Sequence, residues 1–239
     1  MNLLLLERGD WVDADCVRLD GRRLQHLREV HRASPGDRLR VGELGGLQGE
    51  GELLALDAAS ALLRVRLEAP SPAKAPMILL LALPRPKMLK RIFQMVTTLG
   101  IEQLVLLNSY RVEKSYWSTP WLAPEAVREQ LVLGLEQARD TVLPTVTLAP
   151  RFKPFVEDEL PALMAGRQGW LPHPGSAMTC PAAVPGPQLV AIGPEGGFIP
   201  YEVDKLQAAG LQTVSLGSRI LRVDTAVAAT LGRVLPLCI

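Results

Sequence analysis

Two kinds of hydrophobic periodicity divide the chain. In roughly the first 70 residues, short apolar runs are bounded by turn-forming residues, the pattern of β-strands. Residues 3–6 read as one strand. The turn Ser34-Pro35-Gly36-Asp37 leads into another over residues 38–44, and residues 49–56 and 61–67 read as a hairpin around 57–60. One helix interrupts them at residues 22–32, with Leu24, Leu27 and Val30 on a shared face. Several short strands in so few residues predict a small β-barrel.

Residues 69–76, APSPAKAP, then form a stiff extended linker with three prolines. Beyond it strands and helices alternate. Strands are expected at 77–83, 103–108, 145–148, 188–192 and 213–216, with a strand-like stretch at 169–171. Helices are expected at 86–99, 124–140, 155–165, 200–209 and 223–235, with Gly100 and Gly210 closing two of them. This alternation implies an α/β fold with a mostly parallel sheet covered on both faces. The expected organisation is a small barrel domain over residues 1–70 and an α/β domain over residues 71–239.

Composition narrows the function classes. With 48% hydrophobic and 21% charged residues among 239, the chain reads as an ordinary globular protein. A net charge of +1 means that any electrostatic recognition must be local. Cys16, Cys180 and Cys238 are scattered, odd in number and without a CxxC pair, so neither a disulfide framework nor a zinc site is expected. His26, His31 and His173 are equally dispersed, and no metal centre is expected from them. The apolar run at 3–6 meets Glu7, Arg8 and Asp10 at once, and the next longest, 77–83, is far short of a membrane span. A cytoplasmic protein without membrane contact is the expectation.

Two segments carry candidate chemistry. Ile192-Gly193-Pro194-Glu195-Gly196-Gly197-Phe198 lies between an expected strand and an expected helix. Glycines at a strand's carboxyl end permit close backbone approach to a ligand, and ligands of open α/β sheets bind at that edge. A plain glycine-rich turn is the competing reading. No dinucleotide or P-loop fingerprint is present. The second segment, Ser215-Leu216-Gly217-Ser218-Arg219-Ile220-Leu221-Arg222-Val223-Asp224-Thr225-Ala226, again runs from strand through a glycine loop into a helix. Asp224 suits a helix cap or first-turn acid. Its competing reading is a connection bearing surface arginines.

Taken together, the two loops resemble those of the bacterial 16S ribosomal RNA (uracil-N3) methyltransferase family of the SPOUT superfamily, with its IGPEGG-type and LG-x-RILR-x-ETA-type motifs. Pro86-Lys87, Leu99-Gly100, Glu136-Gln137 and His173-Pro174 extend the resemblance over nearly the whole chain. It implies S-adenosyl-L-methionine as cofactor, surrounded by His173, Ile192, Gly193, Glu195, Gly196, Gly197, Leu216, Gly217, Ile220, Leu221 and Arg222. It further implies a deep trefoil knot in the α/β domain, a PUA-like N-terminal barrel, a homodimer, and N3 of a uridine in small-subunit ribosomal RNA as the methyl acceptor. The chain departs from the family at Met95 and Thr98, where Lys and Glu are usual, and at Asp224, which replaces Glu. A methyltransferase for another base, or an RNA-binding ribosome-assembly factor with little activity, stays compatible with these departures. The glycines at 193, 196, 197 and 217 favour an enzyme.

Uracil N3 must lose a proton to become a good nucleophile, and a cation near the uracil oxygens favours the anion. Arg222 is the first candidate for that role and Arg219 the second, unless Arg222 merely pairs with Asp224 or with an acid across the dimer. His173, between two prolines, is better suited to the pocket wall than to acid–base work. For RNA, residues 21–40 hold six arginines against Glu29 and Asp37, and residues 69–101 hold no acid at all. Arg22, Arg23, Arg28, Arg32, Lys87, Lys90, Arg91 and Arg111 are the expected contacts, with Tyr110 and Lys114 beside Arg111 as an extension of the same surface. Trp117 and Trp121 are candidates for base stacking or for packing.

Overall fold

The leucines at the start of the chain are buried on both faces of their strand, which is why they form an unbroken run instead of alternating. The computed structural model describes residues 2–236, which fall into two units. One joins the chain up to Ala73 with Glu129–Leu143, and the other holds Lys74–Arg128 and the chain from Pro144 onward.

The first unit contains β1 (Leu4–Leu6), β2 (Cys16–Leu19), α1 (Gly21–His26), β3 (Arg38–Glu43), β4 (Gln48–Leu56) and β5 (Ala61–Ala69). Its sheet runs β1-β3-β4-β5-β2, with β1 parallel to β3 and the other pairs antiparallel. Leu4 and Leu6 pack into one core with Val17, Leu24, Val41, Leu53 and Leu63. Leu3 and Leu5 point the other way and pack on Leu135 of the returning segment. Strand β2 was not among the expected elements; four residues after an acidic loop give too short a pattern to read. Val30, expected on the buried face of the helix, is 66% exposed. After His26 the helix widens into a π-turn over Leu27–His31, and the extra residue per turn rotates Val30 outward.

Ionic contacts set the surface of this unit. The Arg22 guanidinium donates to both oxygens of Glu136 at 2.8 and 2.9 Å. Arg23 donates to both oxygens of Asp10 and to the Leu5 carbonyl. On the sheet, strand register aligns Arg38, Glu52 and Arg64 in one row and Arg40, Glu50 and Arg66 in the next. Opposite charges therefore alternate across the strands.

The second unit contains β6 (Ala75–Ala82), α2 (Pro86–Thr98), β7 (Ile101–Leu107), the start of α3 (Pro124–Ala138), β8 (Thr145–Ala149), α4 (Phe152–Pro154), α5 (Leu160–Met164), β9 (Gln168–Pro172), β10 (Gln188–Ile192), α6 (Pro200–Ala208), β11 (Leu211–Val214) and α7 (Val223–Val234). The single helix expected at 155–165 is broken by a π-turn at Phe155–Glu159. Pro161 has no N–H to give the ladder, and the turn absorbs the gap. Strand β11 begins two residues earlier than expected, with Leu211 buried directly after Gly210.

All six strands are parallel, in the order β11-β9-β10-β6-β7-β8. Residues 77–83 and 188–192 are buried throughout, as central strands covered on both faces must be. The chain steps outward from β6 through β7 to β8, then crosses to the opposite side of β6. Direction reverses between β6 and β10, and ligands of open α/β sheets bind at the carboxyl ends of strands at such a point. Among the described residues, no helix is long and apolar enough to cross a membrane.

Candidate functional site

Parallel strands bring every carboxyl end to one edge, so the loops after β9, β10 and β11 converge there. They enclose a cavity of about 720 Å³, in the range of small-molecule sites. His173, Ile192, Gly193, Glu195, Gly196, Gly197, Leu216, Gly217, Ile220, Leu221 and Arg222 all line it. Two segments distant in sequence thus form one wall. Arg85 and Met88, from the start of α2, line it too, as do Phe198, Arg219 and Ala226. The sequence offers Lys87, in the first turn of α2, for RNA and does not single out Arg85 or Met88 of that turn for the cavity. The turn's nearness to the switch between β6 and β10 was the signal that could have placed it at the cavity.

The loops are held by specific contacts. A Cβ on Gly193 would sit 3.1 Å from the Phe198 backbone nitrogen and 3.2 Å from its ring, a tight contact that a larger residue could make only by pushing the loop open. Gly217 has φ +110°, a conformation L side chains rarely adopt. Glu195 accepts a hydrogen bond from the Arg85 backbone N–H at 3.2 Å, and the Arg85 side chain lies 3.8 Å away. Arg85 is the N-cap of α2, so a carboxylate from the glycine loop sits at the positive end of that helix. Glu195 therefore tethers the loop as well as lining the cavity. The Arg111 guanidinium donates to the Gly196 carbonyl, a second tether from the loop after β7.

Arg222 is the N-cap of α7 and its side chain is 77% exposed. Its Nε stands 3.7 Å from Asp224, which is the first-turn acid of that helix. Both readings of Arg222 meet in this geometry: it faces the cavity and is loosely paired with Asp224. The His173 backbone is fixed by its N–H to the Val214 carbonyl, and its carbonyl accepts from Ser176. That fastening suits a wall residue.

The expected RNA contacts are placed unequally. Arg28 and Arg32 are exposed, whereas Arg22 and Arg23 are bound to Glu136 and Asp10. Lys87 and Arg91 are exposed on α2. Lys90 sits 3.8 Å above the Trp121 ring, so that indole packs against a cation within its own unit. Arg111 is committed to the glycine loop. Cys16 and Cys180 are buried free thiols, and burial pushes both above the usual thiol range. Cys238 lies outside the described residues. Asp13, Asp15 and Cys16 are close together, but the Asp15 and Cys16 backbone N–H groups donate to Asp13 and account for the arrangement as a turn.

Residues 71–235 match the family model described as RNA methyltransferase domain. Over 98% of its length the chain is 30% identical to ribosomal RNA small subunit methyltransferase E of Treponema pallidum, covering 91% of that protein. It is 28% identical to the protein of the same name from Synechocystis, over 91% of this chain and 72% of the relative. The crystal structure of a ribosomal RNA small subunit methyltransferase E from Neisseria gonorrhoeae, bound to S-adenosyl methionine, superposes with a TM-score of 0.74 at 21% identity. That match covers 97% of this chain and 95% of the other.

Proposed function

The chain belongs to the RNA methyltransferase domain family, and from that premise we propose that it transfers a methyl group from S-adenosylmethionine to N3 of a uridine in small-subunit ribosomal RNA. The single observation that carries this reading is the convergence of both glycine loops and Arg222 on one cavity. The relatives' names supply the class of RNA, small-subunit ribosomal RNA.

The residues fit the cofactor. The cavity combines apolar walls, Met88, Phe198, Leu216, Ile220 and Leu221, with exposed loop backbone at Gly196 and Gly217. Apolar walls suit an adenine ring, and free backbone groups suit its polar edge. When bound, the cofactor supplies a sulfonium methyl group open to in-line displacement. The protein's task is then alignment and charge. Arg222, exposed at the cavity wall, stabilises the negative charge on the uracil oxygens as N3 loses its proton. Its loose contact with Asp224 leaves the guanidinium donors available for that. His173 shapes the wall.

Phosphate contacts are assigned to the exposed cations Arg28, Arg32, Lys87 and Arg91, with Arg22 contributing its solvent-facing side. Residues 1–70 serve as a PUA-like RNA-binding barrel and residues 71–239 as a knotted SPOUT domain that dimerises, in the cytoplasm. Labelled methyl transfer to small ribosomal subunits from a strain lacking the enzyme tests the whole reading. Label is expected on a uracil, at N3. Label on another base retains the reaction class and overturns the substrate. Binding of the subunit without label, at saturating cofactor, overturns the enzyme in favour of an assembly factor.

A further inference from the structure

Beyond the carboxyl ends of β7 and β8, the same sheet edge carries a second cavity of about 540 Å³. Its walls include the rings of Trp117, Phe152 and Tyr201, with Tyr110 at its border and the exposed cations Lys114 and Lys153 beside them. Tyr110 is 78% exposed and Tyr201 46% exposed, with the Lys205 ammonium 5.8 Å from the centroid of the Tyr201 ring. The Trp117 indole is held in place by its N–H to the Asn108 side chain at 3.0 Å.

The two cavities share a partition. Phe198 lines the first and Phe152 the second, with ring centroids 6.4 Å apart. The loop bearing Tyr110 is pinned to this partition from both sides. Buried Glu202 accepts from the Tyr110 backbone N–H at 2.7 Å and from the Ile199 N–H at 3.0 Å, while Arg111 reaches the Gly196 carbonyl. A group seated against Tyr110 is therefore held in fixed register with the glycine loop of the first cavity. Ser109 lines the second cavity and is 4% exposed, and its buried Oγ has no hydrogen-bond partner among the described residues.

Aromatic faces stack on any base, and ammonium groups meet the phosphate. An acidic peptide would meet the lysines but would leave the rings unused. We infer that this second cavity holds a nucleotide of the single-stranded RNA next to the base being methylated. The inference rests on the reading of the first cavity as the methyl-transfer site, and it gives the RNA a second anchor on the same unit.

Fluorescence anisotropy with a labelled short oligouridylate tests it, alongside calorimetry with S-adenosylmethionine on the same proteins. The double variant Tyr110→Ala/Tyr201→Ala is expected to bind the oligonucleotide about tenfold more weakly, the scale of one lost stacked base. Cofactor affinity should stay within about twofold, because neither ring lines the first cavity. Lys114→Gln/Lys153→Gln should flatten the salt dependence of oligonucleotide binding by a slope of about one to two. Oligonucleotide binding unchanged in both variants overturns the inference, as does a wild-type protein that binds an acidic peptide more tightly than the oligonucleotide. If the tyrosine variant loses both ligands together, the lysine variant decides: an unchanged salt slope overturns the inference. A wild-type protein that binds the oligonucleotide through this cavity but not the cofactor overturns the reading of the first cavity alone.

Discussion

Arg23 and Arg222 show two uses of one side chain. Arg23 is 17% exposed, and three of its five N–H donors are taken by two Asp10 oxygens at 2.5 and 2.7 Å and a backbone carbonyl. Arg222 is 77% exposed, with a single carboxylate 3.7 Å from its Nε. The first is a structural cross-link with most of its donors already committed. The second keeps its donors free at a cavity wall. The difference shows that local charge is available for function only where the fold has not already neutralised it, and a count of arginines along the chain cannot see that.

Asp10→Ala should break the first side of the comparison hardest. It strands a mostly buried guanidinium, a loss on the order of 3–5 kcal/mol, and urea unfolding would show it as a lower midpoint. A change below about 1 kcal/mol would mean that Arg23 finds another partner or reaches solvent. On the other side, Gly196→Val, whose added Cβ meets only the flexible Arg111 side chain, should leave the unfolding midpoint nearly unchanged and weaken S-adenosylmethionine about a hundredfold, about 2.7 kcal/mol. Calorimetry reads the affinity; full-strength binding would misplace the cofactor.

Arg222→Gln sharpens the contrast at the level of chemistry. It should lower kcat about tenfold while cofactor affinity and stability hold, since the side chain acts on developing charge. Equal losses in stability and rate would make Arg222 a structural residue like Arg23. Arg38→Gln should do less than either. Its nearest acid, Glu50, is 3.7 Å away and both side chains are largely exposed, so stability should shift by no more than about 0.5 kcal/mol.

The smallest effect concerns His26, whose ring nitrogen Nε2 is buried with no hydrogen-bond partner among the described residues. Burial, with the nearby positive charges, holds its pKa below the usual histidine range. The unfolded chain therefore takes up this proton at a higher pH than the folded one. Stability from this group is full above the unfolded value, about 6.5, and is lost as pH falls toward the folded value. The decline in unfolding midpoint between about pH 7 and about pH 5 should be shallower in His26→Leu than in the wild type; identical slopes would assign the decline to other groups.

The chain's own periodicity determined much of this protein. Alternating apolar runs and glycine-closed helices specify a parallel α/β unit, because a strand covered on both faces must be apolar along its whole length, as residues 77–83 are. Glycines 193, 196, 197 and 217 marked the cavity loops, the first two because neighbouring atoms crowd the place of a Cβ and the last two because their φ is positive. Other features were beyond its reach. Val30 turned outward because a π-turn changed the helical spacing, and β2 was too short to leave a pattern. The partners of Arg22 and Arg23 are 114 and 13 residues away, and only the folded chain could bring Glu136 and Asp10 to them. Sequence shows which residues are charged or small, through local spacing. Tertiary structure decides which of those charges stay free, because neutralisation and burial depend on residues that meet only in the fold.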